Sequence, residues 1–372
     1  MLCVTEDWFA LSHFQPLISL LVRLADDVLV VTRSSGRLGE IEALGARTLD
    51  FEYHRSSLSP TQEVQSARRL ARVIGEFKPD VLHLVAMKPI VLGGLAVRMA
   101  TAPHVVLHLT GLGFLGITET AKVRAVRWIV LKHIAATVRR KGSWLLVENS
   151  EDLAYLQAAG VRSNDRHTIL GGAGIDPDQF PPQPEPQHAV CRAAYVGRMI
   201  RPKGVDVLME ASRLLGARGS PITIDLYGQA DTDNLEAIES GALEAWSHEG
   251  HGQWHGATRD VAGVWKRSDI FVLPARSREG LPRALLEAAA SERPAIVTDV
   301  PGCRSFVRHG VEGLIVPPEN AAALADALDT LARDSALRRT LGAAARARVL
   351  SGYTIGQVVD GLEQSYNALA KT

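Results

Sequence analysis

Glu279 and Glu287 stand eight residues apart in the stretch "ARSREGLPRALLEAAASERP" (275–294), and Gly280-Leu281-Pro282 directly follows the first of them. The apolar run "DIFVLP" (269–274) comes just before. These polar residues therefore fall where a buried strand hands over to a helix. Pro282 fits the first helical position, where its missing N–H is no loss. Gly280 and Leu281 then carry backbone amides just ahead of the helix, an arrangement suited to a phosphate. Glu287, one to two turns in, is either a solvent-facing helix residue or a carboxylate that takes two sugar hydroxyls, since an ionised carboxylate only accepts hydrogen bonds.

A second group lies in "YVGRMIRPKGVDVLMEA" (195–211), which reads as strand, glycine turn at Gly197, cations and then a helix from about Val205. The turn is either a solvated surface loop or an anion site. In the second reading Arg198 and Lys203 stand beside a helix N-terminus whose amides and dipole already favour negative charge. Arginine grips phosphate oxygens in pairs and lysine adds a mobile point charge. Taken together, the cation pair, the helix start and the two carboxylates suit a nucleotide diphosphate attached to a sugar.

These residues need strand ends and helix starts to hold them, and the chain supplies both. Expected strands are 28–32, 81–85, 104–109 and 144–147, then 192–197, 222–228, 269–274, 295–298 and 313–317. Helical patterns lie between them, notably at 62–77 and 90–100. Such alternation implies parallel sheets covered on both faces, an α/β protein. "PPQPEPQ" (181–187) reads as an extended linker. The expected parse is a domain over 1–180, the linker, a second domain over 188–352 and a final helix over 353–372. Residues 321–350 read as one alanine- and arginine-rich helical stretch.

Composition narrows the classes. The 372 residues are 46% hydrophobic and 22% charged, and 41 basic side chains balance 41 acidic ones. A net charge of zero gives no support to nucleic-acid binding. Cys3, Cys191 and Cys303 are far apart and in no metal-ligand spacing, which fits a reducing cytoplasm. No metal and no cofactor is expected. The apolar run near "PIVLGGLAV" is about half of the ~20 residues a membrane-spanning helix needs. No G-x-G-x-x-G after a strand is followed by an acidic residue about 20 positions on, which disfavours a dinucleotide-dependent oxidoreductase.

"YVGRMIRPKG", "SDIFVLPARSREGLPRALLEAAASERPAIVTDVPGCRSFV" and "GVEGLIVPPEN" resemble the nucleotide-binding half of the retaining glycosyltransferases of family 4. "DWFALSHFQPL", "KPIVLGGLAVRMA", "LHLTGLGFLG" and "ILGGAGIDPDQF" are similar to the bacterial subgroup that extends polyprenyl-diphosphate-linked sugars. The resemblance runs colinearly over nearly the whole chain. It implies the GT-B fold, two Rossmann-like domains facing each other across a cleft, with a nucleotide-sugar donor, a UDP-sugar by resemblance, and a glycan or lipid-linked sugar acceptor. It implies that Arg198 and Lys203 bind the donor diphosphate, that Glu279 meets the sugar hydroxyls, and that Gly280, Leu281 and Pro282 supply nearby amides. Glu287 would hold the ribose, and the loop Thr110-Gly111-Leu112-Gly113 would approach the sugar.

Two positions depart from the family. Thr110 stands where many members have histidine; His108 lies two residues earlier on the same strand face and either substitutes or is structural. Ser305 stands where relatives often have an acid. The basic stretch 118–142 is either a solvated face or a helix near an anionic membrane surface, the latter placing a cytoplasmic enzyme on the inner face of the cell membrane; the building of surface polysaccharide or lipopolysaccharide is what the resemblance implies. The rival reading is a nucleotide-sugar epimerase of the same architecture.

Overall fold

The computed structural model describes residues 1–53, 60–112, 121–186, 190–230, 234, 236–250 and 252–371. It divides into two compact units: Met1–Ala173 together with Ile355–Thr372, and Gly174–Thr354.

The first unit is built on a seven-stranded sheet. Its strands are β1 (Leu2–Glu6), β2 (Leu29–Arg33), β3 (Arg47–Asp50), β4 (Val81–Val85), β5 (His104–Leu109), β6 (Ser143–Val147) and β7 (His167–Ile169). They lie in the order β3-β2-β1-β4-β5-β6-β7, and the pairings are parallel. Alternate residues of one strand feed two cores. Val105 and Leu107 enter one with Leu70 and Ile134, while Val106 enters the other with Phe14 and Leu17.

The second unit has a six-stranded sheet: β8 (Cys191–Val196), β9 (Ile222–Tyr227), β10 (Gly252–Trp254), β11 (Ile270–Leu273), β12 (Ala295–Thr298) and β13 (Gly313–Val316). The order is β10-β9-β8-β11-β12-β13, again with parallel pairings. In each sheet the winding reverses once, between β1 and β4 and between β8 and β11. Ligands of doubly wound sheets bind outside the carboxyl ends of strands at such a reversal.

The expected strands fall on β2, β4, β5, β6, β8, β9, β11, β12 and β13, and the fold class is the expected one. Four strands went unread. β3, β7 and β10 are edge strands of three or four residues, too short to show alternation. β1 is buried throughout and so lacks the polar-apolar period of a half-exposed strand. The helix expected over 321–350 is two, Ala321–Arg333 and Ser335–Gly352. Asp334 breaks it and caps the second, its Oδ1 accepting from Leu337 N at 2.8 Å.

The units divide at 173/174 and 354/355 rather than at the proline-rich stretch. Pro184 O accepts from Arg293 Nη2 at 2.9 Å, and Glu185 takes Arg339 Nη1 at 2.9 Å and also pairs with Arg338. Residues 181–186 are thus strapped to the second unit, through one free carbonyl of the proline-rich backbone and through the Glu185 carboxylate. The last helix, Ile355–Leu369, returns to the first unit and buries Val358, Leu362 and Leu369 beside Leu2 and Leu170.

Candidate functional site

At the carboxyl ends of β8 and β11 the structure brings Lys203 and Glu279 together. Lys203 Nζ donates to Glu279 Oε2 at 2.7 Å, with the two side chains 20% and 15% exposed. The loop carrying Lys203 is tied down at both ends. Gly197 N donates to Tyr227 O at 2.9 Å, and Tyr195 Oη donates to Arg198 O at 2.7 Å. A single turn of 3₁₀ helix, Arg201–Lys203, then closes on Gly204, which has φ 74° and opens the helix Val205–Ala217. A Cβ at Gly204 would lie 1.8 Å from Pro274 O. Only glycine fits this left-handed position against the end of β11.

Arg276, which the sequence reading left without a role, joins the two loops. Its N–H donates to Pro202 O at 2.8 Å, and its Nη1 donates to Arg201 O at 3.0 Å and Asp206 Oδ1 at 2.7 Å. It belongs to the stretch that holds Glu279, but its partners lie some seventy residues away and no local pattern announces them. Glu279 is fixed from the other side, its N–H donating to Pro301 O at 3.1 Å. A Cβ on Gly302 would fall 1.8 Å from Gly280 O, so the turn after β12 abuts this loop. Ser305 Oγ donates to Gly302 O at 2.7 Å and closes that turn.

The Glu279 charge is felt by its neighbours. Burial raises the Tyr195 phenol and the Cys303 thiol, and Glu279 raises both further; Arg198 opposes at the first and Lys203 at the second. Arg198 itself is exposed on the loop. Gly280 and Leu281 are buried beside Glu279. Pro282 sits one position earlier than expected, as the N-cap of Arg283–Ala290, and its carbonyl accepts from Leu285 N at 3.1 Å. Glu287 lies inside the helix rather than on a solvent face, and Arg283 Nε donates to its Oε1 at 2.8 Å. Burial raises the Glu287 carboxyl and Arg283 works against the rise. Arg283 was also unassigned, although its i,i+4 spacing to Glu287 is legible.

In the first unit Thr110 and Gly111 are half-buried at the end of β5, and Gly111 has φ 123°. Gly113 lies outside the described residues. His108, expected either to take the family histidine's place or to be structural, is enclosed. It is 2% exposed, its Nδ1 is 3.3 Å from His83 Nε2, and its ring meets Phe14 edge-on. His83 Nδ1 in turn lies 2.5 Å from Tyr366 Oη on the last helix. Burial pushes the His108 imidazole down to about 3. A ring enclosed this way is part of a polar thread through the core. Asp7, at the end of β1, was missed: its buried carboxylate accepts from Ser35 N at 2.7 Å and Arg37 N at 2.9 Å, fixing the helix Asp7–His13 to the loop after β2.

No cluster of three His, Cys, Asp or Glu side chains suited to a metal ion occurs among the described residues. A cavity of about 420 Å³ in the second unit lies at the opposite, amino end of β8 and β11, by Cys191 and Asp269. Its cations are already matched, Arg338 to Glu185 and Arg333 to Asp329.

Comparison with known proteins bears on this geometry. The Glycosyl transferase 4-like family model matches residues 2–140, and the Glycosyl transferases group 1 model matches 191–334. The chain is 25% identical over 349 residues to the N,N'-diacetylbacillosaminyl-diphospho-undecaprenol alpha-1,3-N-acetylgalactosaminyltransferase of Campylobacter jejuni, covering 89% of each. It is 22% identical over 367 residues to the UDP-Gal:alpha-D-GlcNAc-diphosphoundecaprenol alpha-1,3-galactosyltransferase of Escherichia coli, covering 91% of this chain and 88% of that one. Among solved structures, Anabaena Alr3699/HepE in complex with UDP and glucose superposes with a TM-score of 0.79 at 16% identity over 98% of both chains. The rival epimerase reading gains no support from these relatives. Two glycosyltransferase models in sequence, one over each sheet-bearing half, on the GT-B architecture, place the chain among the group 1 and 4-like glycosyltransferases.

Proposed function

We propose that the chain is a retaining glycosyltransferase that moves a sugar from a UDP-sugar to a polyprenyl-diphosphate-linked sugar in the assembly of a cell-surface polysaccharide, at the inner face of the cell membrane. The observation that carries this reading is the meeting of Lys203 and Glu279, flanked by Arg198, at the reversal point of the second sheet. Without a donor the lysine and glutamate neutralise each other. A nucleotide-sugar offers each a better-matched partner: diphosphate oxygens for Lys203 and Arg198, and sugar hydroxyls, which donate, for Glu279. As the bond from the anomeric carbon to the diphosphate breaks, negative charge grows on the leaving diphosphate. Fixed cations aimed there lower the barrier, because they interact more strongly with the transition state than with the ground state. Glu287, seated on the helix that begins at Arg283, is assigned to the ribose hydroxyls. Thr110 and Gly111 are assigned to the acceptor side of the sugar.

The relatives support the substrate classes: two of them are named for undecaprenol-diphosphate sugars and one of those for UDP-Gal. The test is incubation with labelled UDP-sugars, with and without a polyprenyl-diphosphate-linked sugar, followed by NMR assignment of the new anomeric centre. Transfer that depends on the lipid-linked acceptor and preserves the donor's anomeric configuration is expected. A product of inverted configuration, or a donor sugar epimerised without acceptor, would replace this reading.

A further inference from the structure

The helix Ala121–Val138 has no acidic residue, and the chain carries none between Glu119 and Glu148. It packs against Met87–Ala96, and the approach is close at Gly94, where a Cβ would lie 2.4 Å from His133 Nε2. His133 is locked there: Nε2 donates to Val91 O at 3.1 Å, and Arg98 Nη2 donates to Nδ1 at 3.4 Å. Its burial and the Arg98 charge both disfavour the imidazolium.

Beside this contact the two helices part into a groove of about 370 Å³. Its walls are apolar, from Val91, Leu95, Ile129 and Val130, and its rim is cationic, from Arg98 and Lys132. On the same stretch of surface Trp128 is 62% exposed, Ile129 58% and, next to Arg98, Met99 51%. Lys132 Nζ lies 5.8 Å from the Trp128 ring centre. Large apolar side chains are exposed here rather than buried, and the charges among them are of one sign. That pairing matches an interfacial helix, whose apolar residues enter the acyl boundary while lysine and arginine stay with the headgroups.

We propose that this face docks on a bilayer containing anionic phospholipid. One acyl chain lies in the groove, Arg98 and Lys132 meet the lipid phosphate, and Trp128, Ile129 and Met99 enter the acyl boundary. Charge complementarity selects this occupant: a neutral apolar partner would leave the Arg98 and Lys132 charges against its apolar surface. The inference deepens the proposed function by naming how the enzyme reaches a lipid-borne acceptor, but the vesicle binding that decides it uses neither donor nor acceptor.

The full chain would be floated with phosphatidylcholine vesicles with and without phosphatidylglycerol, at low and high salt. Binding should require phosphatidylglycerol, and high salt should weaken it without abolishing it. Ile129→Asp and Trp128→Ser change exposed side chains and should each lower partitioning about tenfold or more, since each loses a buried apolar side chain. Arg124 is exposed one turn before Trp128 on the same helix, and Arg124→Glu with Lys132→Glu should do the same, at about 1 kcal/mol per basic residue or roughly fivefold each. Lipids brominated on the acyl chain should quench a fluorescence component that is absent in Trp128→Phe. Transfer to a short soluble acceptor should be unchanged in Ile129→Asp, and its loss would point to misfolding, which circular dichroism would register. Binding that Ile129→Asp and Trp128→Ser leave intact, or that high salt removes completely, overturns the proposal. So does equal binding to both kinds of vesicle.

Discussion

Replacing Gly204 with alanine isolates the contact that positions Lys203. Two costs add. The left-handed backbone at φ 74° costs an L-residue about 1–2 kcal/mol. The new Cβ would also stand 1.8 Å from Pro274 O, backbone against side chain, with no flexible group able to move aside. Relief requires the loop to shift by about 1 Å away from β11, and overpacking of this kind costs about 1–3 kcal/mol. A total of roughly 2–5 kcal/mol should lower the melting temperature of the second unit by about 5–15 °C. The same shift carries Lys203 away from Glu279, and a 1 Å misplacement is worth on the order of a hundredfold in rate. The control is Gly219→Ala, just past the other end of the same helix, with φ 63° and nothing within 4 Å of its Cβ. It bears the backbone cost alone and should leave turnover intact. Calorimetry and kcat/KM on both variants decide the matter. If G204A and G219A melt and turn over alike, the close approach to Pro274 does not hold the loop and the reasoning fails.

Arg198→Ala and Lys203→Ala should each lose a charge-assisted contact of about 1.5–3 kcal/mol, one to two decades in kcat/KM. Arg201→Ala, which removes only a 3.3 Å surface pair with Asp206, should stay near wild type. Turnover should survive EDTA, with Arg198 and Lys203 bearing the leaving charge; complete loss restored only by Mg²⁺ or Mn²⁺ would contradict this. The folded state should weaken as pH falls below the ordinary histidine range. Burial holds His83 and His108 well below their unfolded value, so unfolding takes up protons between roughly pH 6.5 and the depressed folded values. Each imidazole that gains a proton on unfolding contributes a slope of about 1.4 kcal/mol per pH unit. Urea midpoints against pH should therefore fall toward acid, less steeply in a His83→Gln, His108→Gln double variant.

Local chemistry was legible in the sequence and tertiary partnership was not. The strand-to-helix junction around Glu279 could be read because an apolar β-branched run, a glycine and a proline follow in order. The same holds for the glycine turn and cations after β8. Arg276 could not be read, since its value comes from Asp206, seventy residues earlier. The depth of His108 is also tertiary: period two gave its strand face, but Phe14 and His83 cover that face and Tyr366 extends the thread from 283 residues beyond His83. The proline-rich stretch looked like a boundary because its composition excludes helix and strand interiors. What fastens it is Arg293, Arg338 and Arg339, and no feature of the prolines foretells those partners.

The two sheets reverse their winding in the same way, yet the two reversal points are built from different materials. In the second unit the loops meet through backbone contacts, through Arg276 and through the Lys203–Glu279 ion pair, and that pair is the part a charged ligand can compete for. In the first unit the end of β4 is held by backbone. Ala86 adopts φ 69° and ψ 168°, a region nearly reserved for glycine that costs about 1–3 kcal/mol. Its N–H donates to His108 O at 2.9 Å, and its carbonyl accepts from Ile90 N at 3.2 Å. His108 thus acts on this corner through its main chain, while its ring is enclosed in the core. The strained residue opens the helix Met87–Ala96, the same helix that forms one wall of the apolar groove. In the proposed function the donor phosphates meet the charged reversal point, whereas the strained corner leads through Met87–Ala96 to the face proposed to dock on the bilayer.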